Sequence, residues 1–227
     1  MCGRFVSTQQ PDALASFFGA VFEGEPLGPS HNVAPTNDVY GVVEGADGER
    51  HLETFQWGLV PSWAKDVKIG SKMINARAET IGEKPSFKSL LRRHRVMLPM
   101  DGFYEWQASD TKVKTPMFIH RADGDPLAIA GLWTTWRDAS LGPEAPWLHS
   151  CTLITTAANA TMEPVHNRMP VILERDDWAM WLDRSIDNPA ELLPLLVPAA
   201  EGVLTMYPVS TSVNNVRNKG SELIDPV

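Results

Sequence analysis

The chain has 227 residues, 43% of them hydrophobic and 21% charged, with a formal net charge of −8. That length buries a substantial core in one domain, and the acidic balance excludes a protein that coats nucleic acid indiscriminately. No apolar run approaches the ~20 residues of a membrane span and no basic-then-apolar leader opens the chain, so a cytoplasmic protein with no membrane partner is expected.

The chain opens Met1-Cys2-Gly3-Arg4-Phe5. An initiator methionine before a small residue is commonly removed, which would leave Cys2 with an α-amine and a thiol on adjacent carbons. An aldehyde condenses with such an amine to an imine, and the thiol then adds to the imine to close a five-membered thiazolidine. The amine titrates near ~7.7–8.0 and a free thiol near ~8.5, so both are partly reactive at neutral pH. A first helix is predicted from Pro11 to Phe18, with the proline in the first turn, where its missing N–H costs little.

From Lys65 to Arg95 there are nine Lys or Arg and three acids, so this segment carries +6 and the rest of the chain −14. That asymmetry favours a localised basic contact over loose coating. Inside it, Asn75-Ala76-Arg77-Ala78-Glu79 alternates polar and small residues. A strand would aim the three polar side chains at one face, whereas a helix would scatter them. A basic helix is predicted after Pro85, through Phe87 to Arg93. Glu105 lies in Asp101-Gly102-Phe103-Tyr104-Glu105-Trp106, a carboxylate between two large aromatics; partial burial there suits it to acid–base work, or to a structural ion pair.

Predicted strands are Val96–Leu98, Pro116–His120, Leu127–Gly131, Cys151–Thr156, Val171–Leu173 and Val203–Tyr207. Ala139–Pro146 reads as a surface loop. His166 sits in the proline-bracketed Pro164-Val165-His166-Asn167-Arg168-Met169-Pro170, a rigid setting for a proton-transfer group. A helix is predicted from Arg175 to Arg184, with Trp178, Trp181 and Leu182 on one apolar face, and a short one from Pro189. Strands outnumber helices without βαβ alternation. The expected fold is α+β, a single compact domain over residues 1–227 with a mainly antiparallel, barrel-like sheet and a few flanking helices.

Cys2 and Cys151 cannot build a disulfide framework, and Cys151 reads as a buried apolar thiol. The six histidines show no metal-ligand spacing with either cysteine, and GxGxxG, GxxxxGK[ST] and GxSxG are missing from the sequence. No metal and no cofactor are expected, which leaves a metal-free covalent mechanism.

Nine short blocks, in order, resemble the SRAP (SOS response-associated peptidase) family. They are Met1 to Phe5, Asn32-Val33-Ala34-Pro35-Thr36, Trp57-Gly58-Leu59-Val60-Pro61-Ser62-Trp63, Asn75 to Glu79, Asp101 to Trp106, Ala130-Gly131-Leu132-Trp133, Thr155-Thr156-Ala157, Val165 to Pro170, and Pro208-Val209-Ser210 leading into Asn214-Asn215-Val216-Arg217-Asn218. The resemblance runs nearly end to end. It implies a protein that captures abasic sites in single-stranded DNA, whose ring-opened sugar exposes the aldehyde that Cys2 requires; nothing in the sequence suggests an oligomer, so a monomer is expected. Carried over by position, Cys2 is the nucleophile, and Asn75, Glu105 and His166 line its pocket. Arg4, Arg77 and Arg168 match phosphate-holding positions, Pro35 and Trp63 lie near the DNA path, and Thr155 is a weaker candidate for a hydroxyl contact. Basic groups on phosphates with an aromatic against a base is how single strands are commonly held. Nucleoid association on damaged DNA would follow. Rival expectations are a thiol peptidase limited to self-processing, an amidotransferase with an N-terminal nucleophile, and a plain single-strand-binding module.

Overall fold

The computed structural model describes residues 2–109 and 113–227; Met1 lies outside them. In chain order they form β1 (Phe5–Ser7), α1 (Pro11–Phe18), β2 (Ala20–Phe22), β3 (Ser30–Val33), β4 (Asp38–Glu44), β5 (Arg50–Trp57), β6 (Asn75–Arg77), α2 (Pro85–Lys88), α3 (Leu90–Arg93) and β7 (Arg95–Met100). There follow β8 (Gly102–Gln107), β9 (Thr115–Arg121), β10 (Leu127–Trp136), β11 (Leu148–Ala157), β12 (Arg168–Pro170), α4 (Trp178–Leu182), α5 (Pro189–Leu192) and β13 (Leu204–Pro208).

Strands β11, β10, β7, β4 and β5 are neighbours in that order, and β5 then pairs in parallel with β11 through Gln56–Ser150 and Trp57–Cys151. That last pairing closes the five strands into a ring. The small strands β12 and β6 attach to β11, and β2 to β5. A second antiparallel sheet has the order β13-β9-β8-β1-β3. The fold is α+β with a closed, barrel-like and mainly antiparallel sheet, as expected.

Strands β4, β7 and β10 are buried on both faces, which is why they read as apolar runs without a polar stripe. Val96 and Leu98 join Phe55, Trp57 and Ile129 in a core shared with Phe5, Phe103 and Ile119 of the second sheet. Met97, Ala128 and Ala130 point the other way, into a core made with Leu14 and Phe18 of α1 and Trp178 and Trp181 of α4. This is the period-two alternation of a pleated strand. Arg95 is buried where α3 and α4 end. It donates to the carbonyls of Leu91, Arg92, Trp181, Asp183 and Ile186, so one cation satisfies the terminal acceptors of two helices. Burial pulls its pKa down to about 10.

Several predicted elements change shape for local reasons. Helix α1 spans Pro11–Phe18 as expected and stops at Gly19, whose φ of +62° makes a left-handed cap. The basic helix splits at Ser89 into α2 and α3. The third helix begins as a 3₁₀ turn at Arg175–Asp177 and ends at Leu182 instead of Arg184, because Asp183 leaves the helical region and its side chain accepts from Ser185 N–H. Val171–Leu173 is not a strand; the strand is Arg168–Pro170. Val171 N–H bonds Ile154 of β11, while Val171 O and Leu173 N–H bond Ala130 and Ala128 of β10, so the segment wedges between two strands. Strands β4 and β5 are not among the predicted ones, and neither are β1, β2, β3 and β8.

Candidate active site

Cys2 lies just before β1 and is 0% exposed. Strand β1 is held between β3 and β8, and Phe5 packs on Trp57 with ring centroids 5.1 Å apart. Phe5 pairs with Phe103, and continuing that antiparallel register sets Gly3 opposite Glu105. Glu105 is 4% exposed. Two distant parts of the sequence thus bring a thiol and a carboxylate to one place.

Asn75 reaches the same place from the ring. Strand β6 runs parallel to β11, with Asn75 beside Leu153 and Arg77 beside Thr155. Asn75 Nδ2 donates to the Cys2 carbonyl at 2.9 Å. Its Oδ1 is buried and has no hydrogen-bond partner among the described residues. A buried amide oxygen left open is costly and points to an N–H or O–H donor not yet in place.

Burial pushes the Cys2 thiol far above its ordinary range, and the negative charge of Glu105 pushes it further. Cys2 Sγ lies 3.9 Å from the Arg4 carbonyl. At neutral pH this sulfur carries its proton. Cys151 is likewise fully buried and pushed up by burial, the inert apolar thiol expected of it.

His166 follows a turn that packs Met162 and Val165 into the same core as Cys2. Gln107, two residues past Glu105, donates to Pro164 O at 3.3 Å and ties that turn to β8. The Arg168 backbone N–H donates to His166 Nδ1 at 3.0 Å. An Nδ1 that accepts is unprotonated, so the neutral ring carries its proton on Nε2.

The three arginines differ in how they are held. Arg168 donates to both oxygens of Glu79, at 2.5 and 2.9 Å, and to the Thr155 carbonyl at 2.6 Å. Arg4 donates to Asn32 Oδ1 at 2.9 Å and to Val213 O at 3.0 Å. The Arg77 side chain is exposed and makes no hydrogen bond or close ion pair with the described residues, the Glu79 carboxylate feeling its charge only from farther off, so its guanidinium is open to an anion. Thr155 is fully buried, and its hydroxyl faces the Ala76 carbonyl and Arg168, so it supports the arginine from behind. Glu79 does not share the face of Asn75 and Arg77, because β6 gives way to a 3₁₀ turn at Ala78–Thr80.

Pro35 and Thr36 form a tight turn whose Asn37 N–H bonds Ala34 O at 3.1 Å. Thr36 adopts φ +73°, a strained conformation for a β-branched residue, and its N–H bonds Trp57 O at 2.7 Å. Trp63 is 61% exposed and borders a cleft of about 470 Å³ with Lys65, Lys68 and Lys72. The loop is pinned where Gly58 and Gly70 meet: a Cβ on either would lie 2.6 Å from the other's carbonyl oxygen. Sequence reasoning missed the three lysines as a cleft, and missed Asn32 and Glu79 as the partners that hold Arg4 and Arg168. Among the described residues no group of three or more His, Cys, Asp or Glu is arranged to hold a metal ion.

The family model described as SOS response associated peptidase (SRAP) matches residues 1–216. The chain is 42% identical to the Bacillus subtilis (strain 168) protein called abasic site processing protein YoqW, over 99% of both chains. It is 34% identical to abasic site processing protein YedK of Escherichia coli (strain K12) over the whole of both. To abasic site processing protein HMCES of Xenopus tropicalis it is 33% identical, over 98% of this chain and 77% of that one. A crystal structure from Bacteroides thetaiotaomicron shares the fold, with a TM-score of 0.89 at 23% identity and full coverage of both chains. Another, from Bordetella bronchiseptica, has a TM-score of 0.78 at 25% identity, covering 92% of this chain and 100% of that one.

Proposed function

Since the chain belongs to the SOS response-associated peptidase (SRAP) family, we propose that it captures abasic sites in single-stranded DNA as a covalent adduct on Cys2, after removal of Met1. The observation that carries this reading is the setting of Cys2. Its carbonyl is held by Asn75, the Asn75 Oδ1 beside it is open, and Glu105 is close enough to raise the thiol.

The chemistry follows from those groups. His166, with its proton on Nε2, donates to the sugar ring oxygen as the hemiacetal opens. The Cys2 amine, delivered unprotonated by Glu105, attacks the C1′ aldehyde, and loss of one water gives the imine. Asn75 Oδ1 accepts a hydrogen from that amine or from a sugar hydroxyl and fixes the approach. The thiol, still protonated, then adds its sulfur to C1′ while its proton passes to the imine nitrogen, with Glu105 as relay. The thiazolidine so formed has lost the aldehyde that promotes strand cleavage by β-elimination. Overall one water leaves and nothing is oxidised or reduced.

Arg77, with no competing partner, is the first phosphate contact, Arg168 and Arg4 flank it, and Trp63 offers a face for a base beside Pro35. The buried thiol suits a peptidase step that acts once, on the protein's own Met1–Cys2 bond, better than one that admits other peptides. The chain works as one domain and as a monomer, in the cytoplasm, near the nucleoid when DNA is damaged. Among the described residues no helix is long and apolar enough to cross a membrane.

Intact-mass spectrometry tests the reading. The mature protein is expected to lack Met1 and to gain the mass of an abasic oligonucleotide less one water. Cys2→Ala is expected to bind the same strand and gain nothing. A heat-stable adduct on the alanine variant would show that another residue is the nucleophile.

A further inference from the structure

Asn32 lies in β3 and is fully buried. Its carboxamide is read on both edges. Oδ1 accepts from Arg4 Nη1 at 2.9 Å, and Nδ2 faces the carbonyls of Val213, Asn215 and Asn218, each at 3.1 Å. Two N–H bonds serve three oxygens, so at least one is shared. The position needs an acceptor edge towards a guanidinium and a donor edge towards carbonyls. Aspartate would keep the first and turn lone pairs at three carbonyl oxygens.

Those carbonyls belong to a strap, residues 210–219, that carries no β-ladder. Lys219 at its far end donates to the Asn32 backbone carbonyl, and His31 N–H bonds Lys219 O at 3.3 Å. The strap also touches the two strands that carry the chemistry. Arg4 Nη1 bonds Val213 O at 3.0 Å, and Trp106 Nε1 donates to Asn214 Oδ1 at 2.7 Å. Arg4 is two residues from Cys2, and Trp106 adjoins Glu105. Cys2, Gly3 and Arg4 all precede β1, and the Arg4 side chain is the first hydrogen-bonded side-chain anchor behind the nucleophile.

We propose that Asn32 is a positioning residue for thiazolidine formation: it gathers the strap onto Arg4 and Trp106 and so fixes Cys2 against Glu105. The proposal rests on Cys2 being the nucleophile. It touches neither the sugar nor the reacting atoms of the protein. Its effect therefore falls on the rate of the covalent step more than on capture of the strand, because a small misplacement of reacting groups costs rate steeply.

The test is single-turnover crosslinking of an abasic single-stranded oligonucleotide over a range of protein concentrations, with wild type, Asn32→Asp and Lys219→Met. Asn32→Asp is expected to lower the maximal rate about tenfold, a larger change than the rise in half-saturating concentration that a carboxylate beside the Arg4 guanidinium brings. Lys219→Met, an exposed substitution that removes the ammonium contacts to the Asn32 carbonyl and to Asn37 Oδ1, is expected to lower the same rate about twofold. Intact mass gives the fraction of protein that reacts; a merely structural defect lowers that fraction and leaves the rate of the remainder unchanged. A wild-type maximal rate in folded Asn32→Asp, or a loss confined to half-saturation, overturns the proposal. If Asn32→Asp does not fold, Lys219→Met decides: an unchanged rate overturns it. A wild type that forms no adduct, compared with Cys2→Ala as blank, defeats the reading of Cys2 instead.

Discussion

Arg168 grips both carboxylate oxygens of Glu79, at 2.5 and 2.9 Å, across 89 residues of chain. The Arg168 hydrogen bond is the largest cause that holds the Glu79 carboxyl below its ordinary pKa. A carboxyl lowered in the folded state adds stability above its unfolded pKa and loses it as pH falls through the folded one. Glu79 is half exposed, so the contribution is that of a surface pair. Glu79→Gln is therefore expected to lower the melting temperature at pH 7 by at most about 4 °C. The gap should close as both proteins are taken into acid, below the range of ordinary carboxylates. Melting curves across a pH series check this; a gap that persists in acid would mean the pair contributes through packing.

The two thiols make a second expectation. Both Cys2 and Cys151 are fully buried, and both are pushed far up by burial. Thiolate is the form that reacts with iodoacetamide. At pH 8 the folded chain with Met1 still in place is expected to resist alkylation at both positions, while the unfolded chain takes up two labels, as mass spectrometry would read. Raised thiols also favour the folded state only while the unfolded thiols are neutral, so stability is expected to fall as pH rises past about 8.5. Fast labelling of Cys2 in the folded state would mean that the sulfur, not the amine, is poised to attack first.

Arg77 and Trp63 should separate in kind. On the proposed reading Arg77 holds a phosphate, and its side chain is exposed with no hydrogen bond or close ion pair among the described residues, so Arg77→Ala is expected to remove one phosphate contact and leave the fold intact. Binding to intact single strands should weaken, and the slope of log affinity against log salt should fall by about 0.7. Trp63→Ala removes a stacking face and should cost about 1–3 kcal/mol with little change in slope. Fluorescence anisotropy at several salt concentrations reads both. An unchanged slope in Arg77→Ala would move the phosphate path elsewhere.

What the sequence made legible depended on how local the cause was. Helix α1 was readable because Pro11 and Gly19 mark its two ends. Strand β5 was not, because His51, Glu53 and Gln56 interrupt its apolar residues, and it is stabilised by β4 and β11, which lie elsewhere in the chain. The same limit governs the site. Cys2, Asn75, Glu105 and His166 were named from chemistry and resemblance, and the structure brings Asn75 onto the Cys2 carbonyl through a parallel β6–β11 pairing that no periodicity announces. Asn32 and Glu79 escaped because their roles are set by partners far away in sequence. A buried asparagine looks like any polar residue until the three carbonyls around it are known.

Glu105 carries the most demanding expectation. It is 4% exposed, beside a thiol whose proton, on the proposed reading, passes to the imine nitrogen as the thiazolidine closes. Glutamine keeps its shape and its place between Tyr104 and Trp106 but accepts no proton. Adduct formation by Glu105→Gln is expected to slow about a hundredfold or more, the usual worth of a positioned acid or base. The group that relays the thiol proton as the ring closes must return it as the ring opens, so release of DNA from a preformed adduct should slow by a similar factor. Their ratio, and so the final yield of adduct, should stay near that of the wild type. Single-turnover formation and release into an excess of aldehyde trap measure the two rates. If formation slows while release does not, the proton travels by another group and Glu105 acts only through its charge.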